Sequence, residues 1–230
     1  MPTTDLPGNG ARHAETSTTR VAAMVEDCRA TLRARGVAGP LNVLALSLGG
    51  MVAVEWGARY PHEVARLVLV NTSMRPFSAF YRRLRWQNYA AIARQLVGGD
   101  AAAMETLVLR LTSNAPVDAA LRERWIAYQR QYPVTRANAA RQLLAAARYR
   151  APVVAPAVAR MLVVCSREDR LVDASCSRAL AAAWQLDCEI HPSAGHDLPL
   201  DDGAWLVATL HHWLARTDAA TPPDAYFNAE

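Results

Sequence analysis

The chain has 230 residues, of which 52% are hydrophobic and 20% charged, and its formal net charge is +4. This composition excludes a disordered or fibrous chain, and the length suits one domain or one core domain carrying an insertion. No apolar run reaches the length of a membrane span, and the opening MPTTDLPGNG lacks the basic and apolar regions of a signal peptide, so a cytoplasmic protein with no membrane partner is expected.

Every basic residue is Arg, and the arginines are scattered rather than gathered on one face, which argues against a nucleic-acid partner. The densest group, Arg82, Arg83 and Arg85 beside Tyr81 and Trp86, has the residue types that touch phosphate and stack on bases, but reads more simply as a solvated helix face. Cys28, Cys165, Cys176 and Cys188 form no C-x-x-C pair and have no His at metal-ligand spacing. They are expected to be reduced core thiols, with no metal site.

In chain order, Asp5-Leu6-Pro7-Gly8-Asn9-Gly10 is a turn-rich segment. From Thr18 to Arg35, Val21, Met24, Val25, Cys28 and Leu32 fall on one helical face, and Gly36 supplies a stop. Leu41, Val43, Leu44, Ala45 and Leu46 then form a short apolar run without helical period, read as a buried parallel strand that delivers Ser47. Small residues are expected to be needed two before and two after the serine, where Ala45 and Gly49 stand. Met51 to Tyr60 continues as a helix until Pro61, with Gly49, Ala53 and Gly57 spaced to let it lie close to the sheet. Val64 to Val70 is a second strand.

From Met74 to about Pro156 the pattern becomes helical, Arg-rich and aromatic, as expected of a lid inserted between two strands. Trp125, Tyr128 and Tyr132 share one helical stripe and Trp86 and Tyr89 another; a helix packing face is the favoured reading over an acyl pocket. Met161 to Cys165 resumes the sheet, a helix is predicted from about Ala174 to Trp184, and Asp187 to His191 is a last short strand. A closing helix follows with Trp205, Leu206, Leu210 and Trp213 on its buried side. The predicted organisation is residues 1–75 as the first part of the core, 76–156 as the lid, 157–216 as the second part of the core, and 217–230 as a disordered tail.

Three chemically matched groups follow successive strands: Ser47, Asp169 and His196. A serine hydroxyl needs an imidazole to take its proton, and the imidazole needs a carboxylate to fix its tautomer and stabilise its cation. Each residue has a plainer alternative. Ser47 could cap a helix. Glu168 and Asp173 compete with Asp169, in that order. His196 could be a hydrogen-bonded loop histidine, although Ala194-Gly195 before it indicate a constrained site. His62, His191, His211 and His212 read as structural or solvated, and Asp197, Asp201 and Asp202 as loop and helix-start residues.

From Asp5 to about Leu214 the chain resembles the α/β-hydrolase superfamily. Ala45-Leu46-Ser47-Leu48-Gly49 resembles the nucleophile elbow, with Ala for the first Gly; Arg59-Tyr60-Pro61 and the strand after it resemble the passage to the next strand. Asp169 resembles the acid loop, Gly195-His196 the histidine loop, and Asp5 to Gly10 the Asp-x-Pro-Gly-x-Gly segment of the family. The resemblance implies an α/β fold with a mostly parallel sheet and a helical lid. It further implies a serine hydrolase acting on a small or medium ester or thioester without a cofactor. In it Ser47 attacks, His196 relays the proton, Asp169 orients His196, and the N–H of Leu48 holds the oxyanion. A serine at the elbow argues against the dehalogenase branch, which has aspartate there.

The family strands that precede the Asp-x-Pro-Gly segment, and the His-Gly loop that gives a second oxyanion donor, have no counterpart in this sequence. An N-terminally truncated core is therefore expected, with further sequence upstream of Met1 as the first explanation. Residues 41–46 would then be an apolar sheet edge, which favours a homo-oligomer. The alternative function is a non-catalytic binding or interaction protein that keeps the hydrolase shell.

Overall fold

The computed structural model describes residues 2–98 and 101–219. The apolar stripe at Val21, Met24, Val25, Cys28 and Leu32 forms and buries one face of a helix, α1 (Val21–Ala34), and Gly36 ends it at φ +70, a conformation open to glycine at little cost. There follow β1 (Leu41–Leu46), α2 (Leu48–Arg59) and β2 (Val64–Val70). Beyond an insert come β3 (Arg160–Ser166), α8 (Ser175–Trp184), β4 (Asp187–His191) and α9 (Leu198–Ala219). The strands pair in the order β1-β2-β3-β4, each pair parallel, as the alternation of short apolar runs and amphipathic helices requires.

The sheet is covered on both faces. Leu67 and Leu69 of β2 pack with Met24, Val25, Val54 and Leu180 from α1, α2 and α8. Val68 and Val70, one residue out of step, join Leu162, Val164, Leu198, Leu206 and Trp213 on the α9 side. This period-two division is why β2 and β3 read as continuous apolar runs. Each large side chain so buried contributes about 1.5–3 kcal/mol.

β1 departs from the expected buried strand. Only Ala45 is buried; Leu41, Val43, Leu44 and Leu46 are half-buried and Asn42 is exposed. The physical reason is its place in the sheet: β2 lies on one side, and among the described residues no strand pairs with the other.

The insert between β2 and β3 comprises α3 (Phe80–Arg83), α4 (Tyr89–Gly98), α5 (Ala101–Thr112), α6 (Ala119–Gln131) and α7 (Arg136–Arg148). Neither aromatic stripe is a buried packing face. Trp86 and Tyr128 are each 62% exposed, and α6 buries no residue. The layer is held by the buried Leu107, Leu109 and Ala145 and by polar ties: Thr135 caps α7 by accepting from the N–H of Asn138, whose own side chain accepts from the N–H of Ser17 and donates to the carbonyl of Glu15. Nor is the arginine cluster a uniformly solvated face. Arg83 is buried and donates to the carbonyls of Ala146 and Ala147 at the C-terminal end of α7, where the helix dipole favours a cation, and Arg85 donates to the carbonyl of Asp169; Arg82 alone of the three stays exposed.

α9 is broken at Asp202 (φ −152, ψ 71) and then runs to Ala219. The tail expected from Thr217 therefore begins with three helical residues, and the rest of it, 220–230, lies outside the described residues. Among the described residues no helix is long and apolar enough to cross a membrane. All four cysteines are free thiols, three of them buried.

Candidate active site

The C-terminal ends of β1, β2, β3 and β4 deliver the loops that carry the polar side chains of interest, as parallel sheets do. Ser47 sits between β1 and α2 at φ 54, ψ −117, a strained conformation for a residue with a side chain. Its side chain makes no capping bond, which removes the helix-cap reading. The turn is held by its backbone: the Ser47 N–H donates to the carbonyl of Val70 (2.9 Å), and its carbonyl accepts from Thr72 Oγ1 (2.8 Å) and the N–H of Gly50 (3.0 Å). Leu48 is the first residue of α2, so its N–H has no acceptor within the helix and is free for an anion.

The requirement for small residues falls differently from expectation. A Cβ at Gly49 would lie 3.9 Å from that of Ala45, an ordinary contact. At Gly50 a Cβ would lie 2.7 Å from Thr72 Oγ1 and 2.8 Å from Thr72 Cβ. The close approach is between the start of α2 and the end of β2, not across the strand-to-helix turn.

Asp169 and His196 are brought together. Asp169 is 1% exposed; its Oδ1 accepts the N–H groups of Leu171 (2.8 Å) and Val172 (2.9 Å), and its Oδ2 lies 2.7 Å from Nδ1 of the buried His196. With Asp169 acting as acceptor throughout, Nδ1 carries the ring proton and Nε2 is left as the basic nitrogen. The competing carboxylates are elsewhere: Glu168 is exposed, and Asp173 accepts the N–H of Ser175 at the start of α8. Among the described residues no hydrogen bond joins Ser47 Oγ to His196 Nε2. In unliganded sites that contact is often long and tightens when substrate binds.

Asn71, at φ 46 directly after β2, is the residue that sequence reasoning missed. It is 2% exposed. Its Oδ1 accepts the N–H of Ser166 (2.7 Å), and its Nδ2 donates to Ser166 Oγ (3.0 Å) and the carbonyls of His196 (2.7 Å) and Gly195 (3.3 Å). One side chain thus ties the acid loop to the histidine loop, while its neighbours Val70 and Thr72 hold Ser47. The signal was the polar triplet Asn71-Thr72-Ser73, all buried, where an apolar strand ends.

The insert braces the same loops through residues 112–115. Asp201 accepts from Ser113 Oγ and from the N–H groups of Asn114 (2.8 Å), Ala115 (3.2 Å) and Gly195 (2.6 Å). Burial pushes the Asp201 carboxyl up, but these donors, Ser113 first, outweigh it and hold the group below its ordinary value. The carbonyl of Thr112 accepts from the N–H of Asp197 (2.7 Å), and Asn114 donates to the carbonyls of Glu168 and Ser193. A Cβ on Gly195 would lie 2.6 Å from the Thr112 carbonyl oxygen, which explains the glycine before His196.

Of the remaining histidines, His62, His211 and His212 are exposed. His191 is buried and structural: its Nδ1 accepts the N–H groups of Ser193 and Ala194, so it shapes the turn leading to His196. Among the described residues no group of three His, Cys, Asp or Glu side chains could hold a metal ion.

A family model described as the alpha/beta hydrolase family matches this chain over residues 3–209. The chain belongs to that family. A pimeloyl-[acyl-carrier protein] methyl ester esterase of Chromobacterium violaceum is 33% identical over 118 residues, which are 49% of this chain and 42% of that protein. The match therefore spans less than half of that relative's length. Among solved structures, an esterase from Exiguobacterium antarcticum superposes with a TM-score of 0.74 at 13% identity, over 92% of this chain and 80% of that one. An enol-lactonase from Burkholderia xenovorans gives 0.68 at 19% identity, over 92% and 79%. These likenesses establish the α/β-hydrolase fold.

Proposed function

We propose that the protein is a serine hydrolase that cleaves a carboxylic ester or thioester of small to medium size through an acyl-enzyme. The observation that carries this reading is the buried Asp169–His196 pair at 2.7 Å, tied through Asn71 to the same strand end that holds the strained Ser47. Ser47 Oγ attacks the carbonyl carbon while its proton passes to His196 Nε2, and the cation that forms is stabilised by Asp169. The N–H of Leu48, at the positive end of α2, donates to the developing oxyanion. His196 then returns the proton to the leaving alcohol or thiol, and water, deprotonated by the same nitrogen, releases the acid. The esterase and lactonase named above have the same fold, and acyl transfer to an oxygen nucleophile is the chemistry common to their names.

A second reading, a non-catalytic binding protein, is motivated by β1, which is half-buried and has one paired neighbour among the described residues. A fluorophosphonate probe separates the two. The hydrolase reading expects wild-type protein to be labelled and Ser47→Ala to be unlabelled at equal folded content; a folded wild type that stays unlabelled overturns the hydrolase reading.

A further inference from the structure

Arg85, Arg167 and Arg178 come from three different places, the insert, the loop after β3, and α8, yet they line one cavity of about 290 Å³ together with Asp173, Ala174 and Ile190. Three cations facing one concavity repel one another unless anions lie between them. Among the described residues none of the three forms an ion pair. The single carboxylate on the wall, Asp173, has its Oδ1 turned to the N–H of Ser175, and Arg85 is spent in part on the carbonyl of Asp169 (2.8 Å). Ala174, on the cavity wall, is the N-cap of α8, whose first two N–H groups, those of Ser175 and Cys176, donate to the side chain and the carbonyl of Asp173, so the positive charge of the cavity is that of the guanidiniums.

We propose that this cavity is a binding site for a phosphate group, held by Arg85, Arg167 and Arg178. Guanidinium forks match the tetrahedral oxygens of phosphate two at a time, and a doubly charged anion neutralises the two positive charges left after Asp173 is counted. The volume exceeds that of the ion alone. Ile190 and Ala174 give the remaining wall an apolar character that suits the short organic part of a phosphomonoester. Because Arg85 also holds the backbone of Asp169, an occupant steadies the acid loop from behind. The site stands whether or not Ser47 is a nucleophile.

The test is calorimetric titration of the full chain, at fixed ionic strength, with inorganic phosphate and separately with glycerol 3-phosphate, for wild type and the Arg167→Ala/Arg178→Ala double variant. Both side chains are exposed, so circular dichroism and the melting temperature are expected to match wild type. Saturable binding that weakens by about tenfold or more in the double variant is expected. Tighter binding of glycerol 3-phosphate assigns the site to a phosphorylated organic ligand and equal binding to the free ion; either keeps the phosphate site. No saturable binding of either ligand by wild type, or equal binding by the folded double variant, overturns it.

Discussion

The two halves of the site are built by opposite means. Asp169 and His196 are buried and fixed from several sides, by the N–H groups of Leu171 and Val172, by Asn71 and, through Gly195, by Asp201 and the insert. Ser47 is half-buried, stands on a strand with one neighbour, and is presented by a strained backbone with a hydroxyl that bonds to nothing among the described residues. The difference fits the chemistry proposed for each. A charge pair works by being preorganised, since a carboxylate free to turn would not hold the imidazole tautomer. The proposed nucleophile needs instead to be presented to substrate, and its hydroxyl meets the base as the site tightens around substrate.

If this division is right, changes to the serine cost rate and changes to the braces cost stability as well. The largest effect is expected at the proposed nucleophile. Ser47→Ala should lower the hydrolysis of a p-nitrophenyl ester by about 10⁴-fold or more while leaving the melting temperature unchanged, because no side-chain bond is lost. Asn71→Ala should do both kinds of damage. Buried donors and acceptors in two loops lose their partner, a destabilisation of about 3 kcal/mol in urea unfolding, and the ester hydrolysis rate should fall with it.

A smaller contrast tests the elbow itself. Gly50→Ala must push against Thr72 and should cost about 2 kcal/mol, whereas Gly49→Ala, which meets only an ordinary contact with Ala45, should stay within about 0.5 kcal/mol. Equal costs at the two positions would contradict the close approach described above. The smallest effect is at Asp201→Asn. The native state holds this carboxyl below its ordinary value, so its contribution to stability is fully present above the unfolded-state pKa, about 3.9, and is lost as pH falls through the folded value. Replacing it should cost about 1–2 kcal/mol at neutral pH and flatten the decline of stability below about pH 4, measured by urea unfolding across pH.

Much of this was legible in the sequence. The limits of β2 and β4, the buried positions of α1, and the meeting of Asp169 with His196 follow from apolar periodicity and from residue types placed after strands. What was not legible depends on contacts between segments far apart in the chain. The role of Asn71 spans 95 residues to Ser166 and 125 to His196, and no local pattern announces it. Asp201 reads as a helix-start residue until the insert is folded over it. Arg83 looks like a surface cation in sequence because the carbonyls it serves, Ala146 and Ala147, lie at the far end of the insert. The aromatic stripes mislead for a related reason: helical spacing shows that side chains share a face, but not that anything covers it.

The central claim is that Ser47 becomes covalently acylated and that the Asp169–His196 pair drives the step. It is tested most directly by acid-quenching the protein during turnover of an activated ester and locating the acyl group by peptide mass. The account predicts an acyl adduct on the peptide containing Ser47 in wild type, strongly reduced in His196→Ala. Steady hydrolysis with no adduct on that peptide, or an adduct that forms as fast without His196, would contradict it.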